Sequence, residues 1–144
     1  MKFLTFRGIP EGDVLAGIME LHEHVFEGAE LTVEKLMEKE NLLILAAKED
    51  EKIVGFKIGY EFNPSTFYSW LGGVHTDYRG KGIAKQLMQL QHELVKSEGY
   101  KKVRTISRNN KREMLLLNIK FGFDILETFT SKKGKHKIVL EKEL

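Results

Sequence analysis

Apolar and polar residues alternate over Lys2–Arg7, the two-residue period of a half-buried strand. The period then changes. Over Gly12–Phe26, Val14, Leu15, Ile18, Leu21 and Val25 recur three and four apart, which predicts an amphipathic helix. Thr32 is a candidate N-cap for a second helix over Val33–Lys39, with Glu34 in the first turn where the helix dipole favours negative charge. Asn41–Lys48 is an apolar run, and Lys52–Tyr60 carries Ile53, Val54, Phe56 and Ile58. The polar stretch Lys48–Glu51 between them predicts a hairpin. An aromatic strand follows at about Phe67–His75, in which Gly72-Gly73 points to a bulge, a close approach by a ligand, or a plain kink. Gly82–Lys96 places Ile83, Leu87, Leu90, Leu94 and Val95 at helical spacing, with Gly99 as a stop signal. Lys102–Ile106 reads as a strand and Lys111–Lys120 as a helix. Phe123–Thr130 and Lys137–Leu140 read as an antiparallel pair across the turn Ser131–Gly134. The predicted order is β-α-α-β-β-β-α-β-α-β-β. It describes an α/β chain of the α+β type, with a mixed, mostly antiparallel sheet and helices packed on its faces.

Composition narrows the function. The 144 residues are 42% apolar, enough for one domain spanning 1–144 with a proper core. There is no repeat, and Pro10 and Pro64 both fall where loops are expected. Without cysteine there is no disulfide framework, thiolate metal site or cysteine nucleophile, and no metal is expected. No apolar run is long enough for a signal peptide or a membrane span, so the expected location is the cytoplasm. Net charge is only +2, but residues 1–72 hold 7 Lys/Arg against 13 Asp/Glu and residues 73–144 hold 16 against 8. Such a chain gathers a polyanion on its basic half and offers its acidic half to a cation. The small net charge and the lack of a nucleic-acid module argue against a nucleic-acid partner.

The chemistry concentrates where the aromatic strand turns into the third helix. Gly80 and Gly82 let a ligand approach the backbone there, the amides at a helix start have no intrahelical partner, and Arg79 and Lys81 add charge. A nucleotide P-loop is excluded, because Lys85 is followed by Gln86. The dinucleotide fingerprint fails because Lys85 occupies its third Gly/Ala position. What fits is Arg/Gln-x-x-Gly-x-Gly/Ala, as Arg79-Gly80-Lys81-Gly82-Ile83-Ala84. With the preceding Val74-His75-Thr76-Asp77-Tyr78 and the later Asn118-Ile119-Lys120-Phe121-Gly122-Phe123, the chain resembles the GNAT superfamily of N-acetyltransferases over at least residues 67–126.

The resemblance implies a V-shaped splay between the strand ending at Val74-His75 and the strand Lys102–Ile106. Acetyl-coenzyme A would lie in it as co-substrate. Its pantetheine arm would bond the backbone of Val74 and His75, and its pyrophosphate would sit on the amides of Arg79, Gly80, Lys81, Gly82, Ile83 and Ala84. It also implies a cofactor contact from Asn109, although Asn110 could simply cap the next helix. At Asn118 the chain departs from the family, many of whose members carry a tyrosine that protonates the departing thiolate. Asn118 is instead expected to hydrogen-bond the pantetheine arm or thioester. The strand Phe67–Val74 has no Asp or Glu to act as base. Glu61 is the preferred candidate, with His75 and Glu27 behind it. One or two of Lys101, Lys102, Arg104, Arg108, Lys111 and Arg112 could meet the 3′-phosphate, while Lys132, Lys133, Lys135 and Lys137 read as a solvated hairpin. Phe62, Phe67, Tyr68 and Trp70 are candidates for an acceptor pocket. The expected activity is direct acetyl transfer to a primary amine of a small molecule or peptide, with a non-catalytic acyl-CoA sensor as the alternative. Relatives often dimerise, but no heptad seam or long apolar edge in the sequence demands a homodimer.

Overall fold

A computed structural model describes residues 1–144. Its elements follow the predicted order: β1 (Lys2–Arg7), α1 (Gly12–Val25), α2 (Val33–Met37), β2 (Leu43–Glu49), β3 (Lys52–Asn63), β4 (Thr66–Val74), α3 (Ile83–Ser97), β5 (Lys102–Ser107), α4 (Arg112–Lys120), β6 (Asp124–Thr130) and β7 (His136–Glu143). A single 3₁₀ turn, Thr76–Tyr78, joins β4 to the glycine-rich segment. The N-cap reading holds, since Thr32 Oγ1 accepts from the Lys35 amide at 3.2 Å. Gly99 and Gly122 end α3 and α4 in the left-handed region, at φ 101° and 100°, where a side chain would be strained. Strand β7 runs further than its apolar stretch predicts, because β5 pairs with it from Lys102↔Glu143 to Ser107↔Ile138.

The seven strands form one sheet in the order β1-β2-β3-β4-β5-β7-β6, and only β4 and β5 run parallel. Ile18 and Leu21 of α1 and Leu36 of α2 pack with Ile44, Phe56 and Ile58 on one face. Ile83, Leu87, Met88 and Val95 of α3 cover the other, against Leu45, Val54, Phe67 and Val103. No helix is long and apolar enough to cross a membrane. Strand β6 is exposed throughout and shows Ile125, Leu126 and Phe129 at the sheet edge, an apolar edge that the sequence reading did not anticipate.

The register of β3 and β4 slips by one residue between Ile58↔Leu71 and Gly59↔Ser69, so Trp70 is the extra residue of a β-bulge. The bulge lies two residues before the glycines expected to mark it. Only the second of those glycines answers to packing. A Cβ on Gly73 would meet Val25 Cγ1 of α1 at 2.9 Å, whereas one on Gly72 would meet nothing closer than 3.5 Å. Opposite the bulge, Gly59 admits the Phe67 ring, whose Cε2 would lie 2.3 Å from an added Cβ, with the Tyr68 carbonyl at 2.6 Å. Both obstacles are rigid. Gly59→Ala is therefore expected to lower the free energy of unfolding by roughly 1–3 kcal/mol in urea denaturation, the usual cost of overpacking, and an unchanged midpoint would contradict this packing.

Candidate functional site

The parallel ladder of β4 and β5 covers only Thr66↔Lys102 to Ser69↔Thr105. Thr105 Oγ1 donates to the Ser69 carbonyl at 2.9 Å and closes the seam there. Beyond this point β4 stays on β3 as far as Val74↔Gly55 and β5 stays on β7 as far as Ser107↔Ile138, so the two strands part. The expected V is thus present, with its apex at Ser69 and Thr105. His75 donates its amide to the Val54 carbonyl at 2.8 Å, and its own carbonyl accepts from the Tyr78 amide at 2.9 Å. Antiparallel alternation then turns the N–H and C=O of Val74 and Gly72 toward the cleft. The structure corrects the expectation for His75: both its backbone groups are engaged, and Gly72 takes its place beside Val74 on the free edge. The His75 ring is also committed. Its Nδ1 accepts from the Asp77 amide at 3.1 Å, and the ring stacks on His24 at 4.3 Å between centroids.

At the mouth of the V the chain enters the glycine-rich turn. Gly80 and Gly82 have φ of 76° and 79°, left-handed values that a side chain would resist. The first helical bond of α3 runs from the Gln86 amide to the Gly82 carbonyl at 3.0 Å, and no amide from Gly80 through Lys85 donates to a backbone acceptor. Free amides on a turn of low steric bulk, at the positive end of a 15-residue helix, are suited to a pyrophosphate. Arg79 is placed differently from expectation. Its amide donates weakly to the Thr76 carbonyl at 3.5 Å, and its Nε donates to the Val74 carbonyl at 3.3 Å, so its side chain braces the turn against the strand. Lys81 lies over the Tyr78 ring, 5.1 Å from its centroid.

Other predicted residues divide between the two ends of the seam. Asn118 is the one buried residue of α4, and its carbonyl accepts from the Phe123 amide at 3.0 Å. Asn109 is exposed in the turn after β5, and Asn110 does not cap α4, whose N-cap position is Lys111. Glu61 is misplaced for a base. It pairs with Phe67 below the apex of the V, where its Oε1 accepts from Tyr100 Oη at 2.8 Å and from Asn41 Nδ2 at 3.1 Å. Glu27 stands exposed in the turn beyond α1. Lys102 and Arg104 are also tied down at the closed end, since both pair with Glu141, Arg104 Nη2 at 2.6 Å. That leaves Arg108, Lys111 and Arg112 near the open end. Phe67 is fully buried core; Lys132, Lys133 and Lys135 of the β6–β7 turn are exposed as expected, whereas Lys137 lies half-buried in β7.

Sequence reasoning missed a buried polar group between the sheet and α3. Gly55 faces Ile83 and Leu87, so Lys57, two residues on, projects to the same side. Its Nζ lies 3.8 Å from where a Gly72 Cβ would be. A side chain at position 72 would screen it from the open edge of β4. Burial pushes the Lys57 ammonium down from the ordinary 10.5 to about 8. Beside it in the fold, His92 of α3 is pushed to about 3, chiefly by burial and then by the charges of Lys142 and Lys57. His92 Nδ1 accepts from Lys142 Nζ at 3.2 Å, which assigns the ring proton to a buried Nε2 without a partner. Gln91 is 0% exposed and neither of its amide atoms has a partner. A lone Lys within the hydrophobic run Ile53–Tyr60 was the one available signal for this group.

A model of the acetyltransferase (GNAT) family matches residues 12–123. No curated protein matches the chain. Among solved structures, an IAA acetyltransferase from Bacillus cereus superposes with a TM-score of 0.76 at 22% identity, covering 99% of this chain and 100% of the other. A GNAT family acetyltransferase from Elizabethkingia anophelis with acetyl-CoA bound gives 0.75 at 18% identity, covering 99% and 98%. The PaiA N-acetyltransferase from Thermoplasma acidophilum, in complex with coenzyme A, gives 0.77 at 16% identity and covers 100% of both chains. At these identities the likeness is one of fold.

The depressed Lys57 has a direct consequence for stability. The unfolded chain holds that proton up to about pH 10.5 and the folded chain only to about 8, so the folded state is penalised below pH 8 and the penalty fades as pH rises to 10.5. Lys57→Met should be more stable than the parent by roughly 3 kcal/mol at pH 7.5, with the gap closing toward pH 10.5 in paired denaturant titrations. A gap independent of pH would show that Lys57 is not held in this environment.

Proposed function

The chain belongs to the acetyltransferase (GNAT) family, and on that premise we propose that it binds acetyl-coenzyme A in the V between β4 and β5 and transfers the acetyl group directly to a primary amine. The observation that carries this reading is the continuity of two free backbone surfaces. The edge of Gly72 and Val74, paired to no strand and engaged only where the Val74 carbonyl accepts from Arg79 Nε, leads into the free amides of Gly80–Lys85. An arm with amide groups can pair with the first as an added strand, while its pyrophosphate meets the second. Acetyl-CoA or coenzyme A is bound in the Elizabethkingia and Thermoplasma structures of the same fold.

Direct transfer has two demands. The attacking amine must be neutral, although an alkylamine has a pKa of about 10.4, and the departing thiolate must be stabilised. Asn118 cannot supply a proton efficiently. On this reading the Lys57 ammonium offsets the charge on sulfur: it lies on the α3 face beside Gly72, and its pKa of about 8 is close to that of a thiol, about 8.5. Asn118, buried on α4, then serves to hold the arm. None of Glu61, Glu27 and His75 is proposed as base, because the first is engaged below the apex, the second is exposed beyond α1, and the ring of the third is bonded to its own turn.

Two measurements test the assignment. Calorimetric titration of the wild type with acetyl-CoA should show one equivalent bound with a Kd of about micromolar strength, and Gly82→Glu, which sets a carboxylate among the free amides, should abolish it. No binding to the wild type would overturn the cofactor site. Thiol release with a panel of amines then separates an enzyme from an acyl-CoA sensor. In that assay Lys57→Met should lower kcat roughly 100-fold with acetyl-CoA binding retained, the scale seen when one preorganised charge-stabilising donor is lost. An unaltered kcat would remove Lys57 from the mechanism.

A further inference from the structure

The bulge at Trp70 places two successive side chains, Trp70 and Leu71, on the α1/α2 face, opposite the face covered by α3. Tyr60 of β3 and Tyr68 of β4 stand beside them. The Tyr60 ring centroid lies 5.3 Å from that of Tyr68 and 5.6 Å from that of Trp70, both in edge contacts. Into the angle between Tyr60 and Trp70 comes Lys39, with its Nζ 4.7 Å from each centroid. An ammonium held by the electron-rich faces of two rings is a cation–π site. No carboxylate competes for it, as none of the molecule's ion pairs includes Lys39. All three rings remain partly exposed. Trp70 is the first residue of β4 past the last one paired to β5, so the site sits at the apex of the V on the side away from α3.

The resident cation is held by little else. Lys39 follows a five-residue helix, in the turn that ends at Asn41, and its side chain makes no hydrogen bond. The acidic excess of residues 1–72, 13 Asp/Glu against 7 Lys/Arg, includes every element around the site except the β5 side of the seam, and it attracts cations to this face.

We propose that the Tyr60–Trp70 site receives a second, non-reacting ammonium of the acceptor, that the acceptor is therefore a diamine or polyamine, and that Lys39 is an intramolecular placeholder for it. The inference rests on the acetyl-transfer reading of the cleft and adds the substrate class to it. The reason is protonation. A cation–π site binds the charged form of an amine and so keeps it protonated, whereas the nitrogen that attacks a thioester must be neutral. One nitrogen cannot meet both conditions. An acceptor that uses this site holds one nitrogen there as ammonium and presents another, an alkyl chain away, at the cleft. That nitrogen forms the new N–C bond as the C–S bond breaks, the electron pair leaves with sulfur, and the amine proton passes to solvent. Lys39 competes with the first nitrogen and weakens binding until it is displaced.

Trp70 is the only tryptophan of the chain, so its emission reads the site without cofactor or turnover. Titration with 1,4-diaminobutane should give a saturable change in that emission, and the neutral isostere 1,4-butanediol should give none. In Lys39→Met the diamine should bind roughly three- to tenfold tighter, because the competing ammonium is gone. Tyr60→Ala should weaken it by a similar factor, while Tyr60→Phe, which keeps the ring and guards against a folding defect, should bind like the parent. With acetyl-CoA present, the ratio of kcat/KM for 1,4-diaminobutane over n-butylamine should rise in Lys39→Met and fall in Tyr60→Ala. The proposal is overturned by an emission change equal for diamine and diol, by no change in either parent or Lys39→Met, or by a kcat/KM ratio that neither variant moves. The acetyl-CoA titration is independent: if the cofactor binds and Trp70 does not respond, the acceptor inference fails alone, and if the cofactor does not bind, the cleft assignment fails.

Discussion

The parallel ladder between β4 and β5 runs for four residue pairs and then stops, because each strand is held along its length by a different partner. Strand β4 belongs to β3 and β5 belongs to β7. Sheet twist rotates neighbouring strands relative to one another, and at Ser69 and Thr105 the two halves of the sheet separate around the hydroxyl-to-carbonyl bond that joins them. The separation leaves a row of backbone donors and acceptors in the middle of a domain, where they would otherwise be costly to expose. Buried cores lie on both sides of this opening, and the free edge is therefore rigid. It is a backbone edge already set in place, and the glycine turn continues it.

The order of elements was legible because apolar periodicity, two residues in strands and three to four in helices, reflects burial directly. Helix ends were legible for a related reason: Thr32 and Gly99 act through local hydrogen bonds and backbone conformation that need no knowledge of the rest of the fold. The glycine-rich turn was also readable, since its chemistry lies within six consecutive residues.

What failed was long-range. Glu61 was read as lying at the end of the strand neighbouring the cleft, but Tyr100 and Asn41, 39 and 20 residues away, hold its carboxylate below the apex. Arg104 was grouped with other cations by proximity in sequence, while its partner Glu141 is 37 residues on. His75 was assigned to the cofactor by the family resemblance, but Val54 and Tyr78 already hold its backbone groups. Lys57 and Gln91 drew no attention because a single polar residue in an apolar segment carries no period, and only the packed structure shows that both are enclosed.

A strand has two faces, and the bulge makes β4 change parity in mid-course. Up to Ser69 the odd-numbered side chains face α3, as Phe67 does; after Trp70 the even-numbered ones do, as Val74 does. The strand is in effect two half-strands spliced out of phase, one belonging to the closed seam and one to the open cleft. Drawing the strand straight with every residue kept would turn the second half over, presenting Leu71 to the buried lysine and Val74 to the helix that now rests on Gly73. The faces of the second half are set by that one extra residue, and drift in this segment is constrained by counting before it is constrained by chemistry.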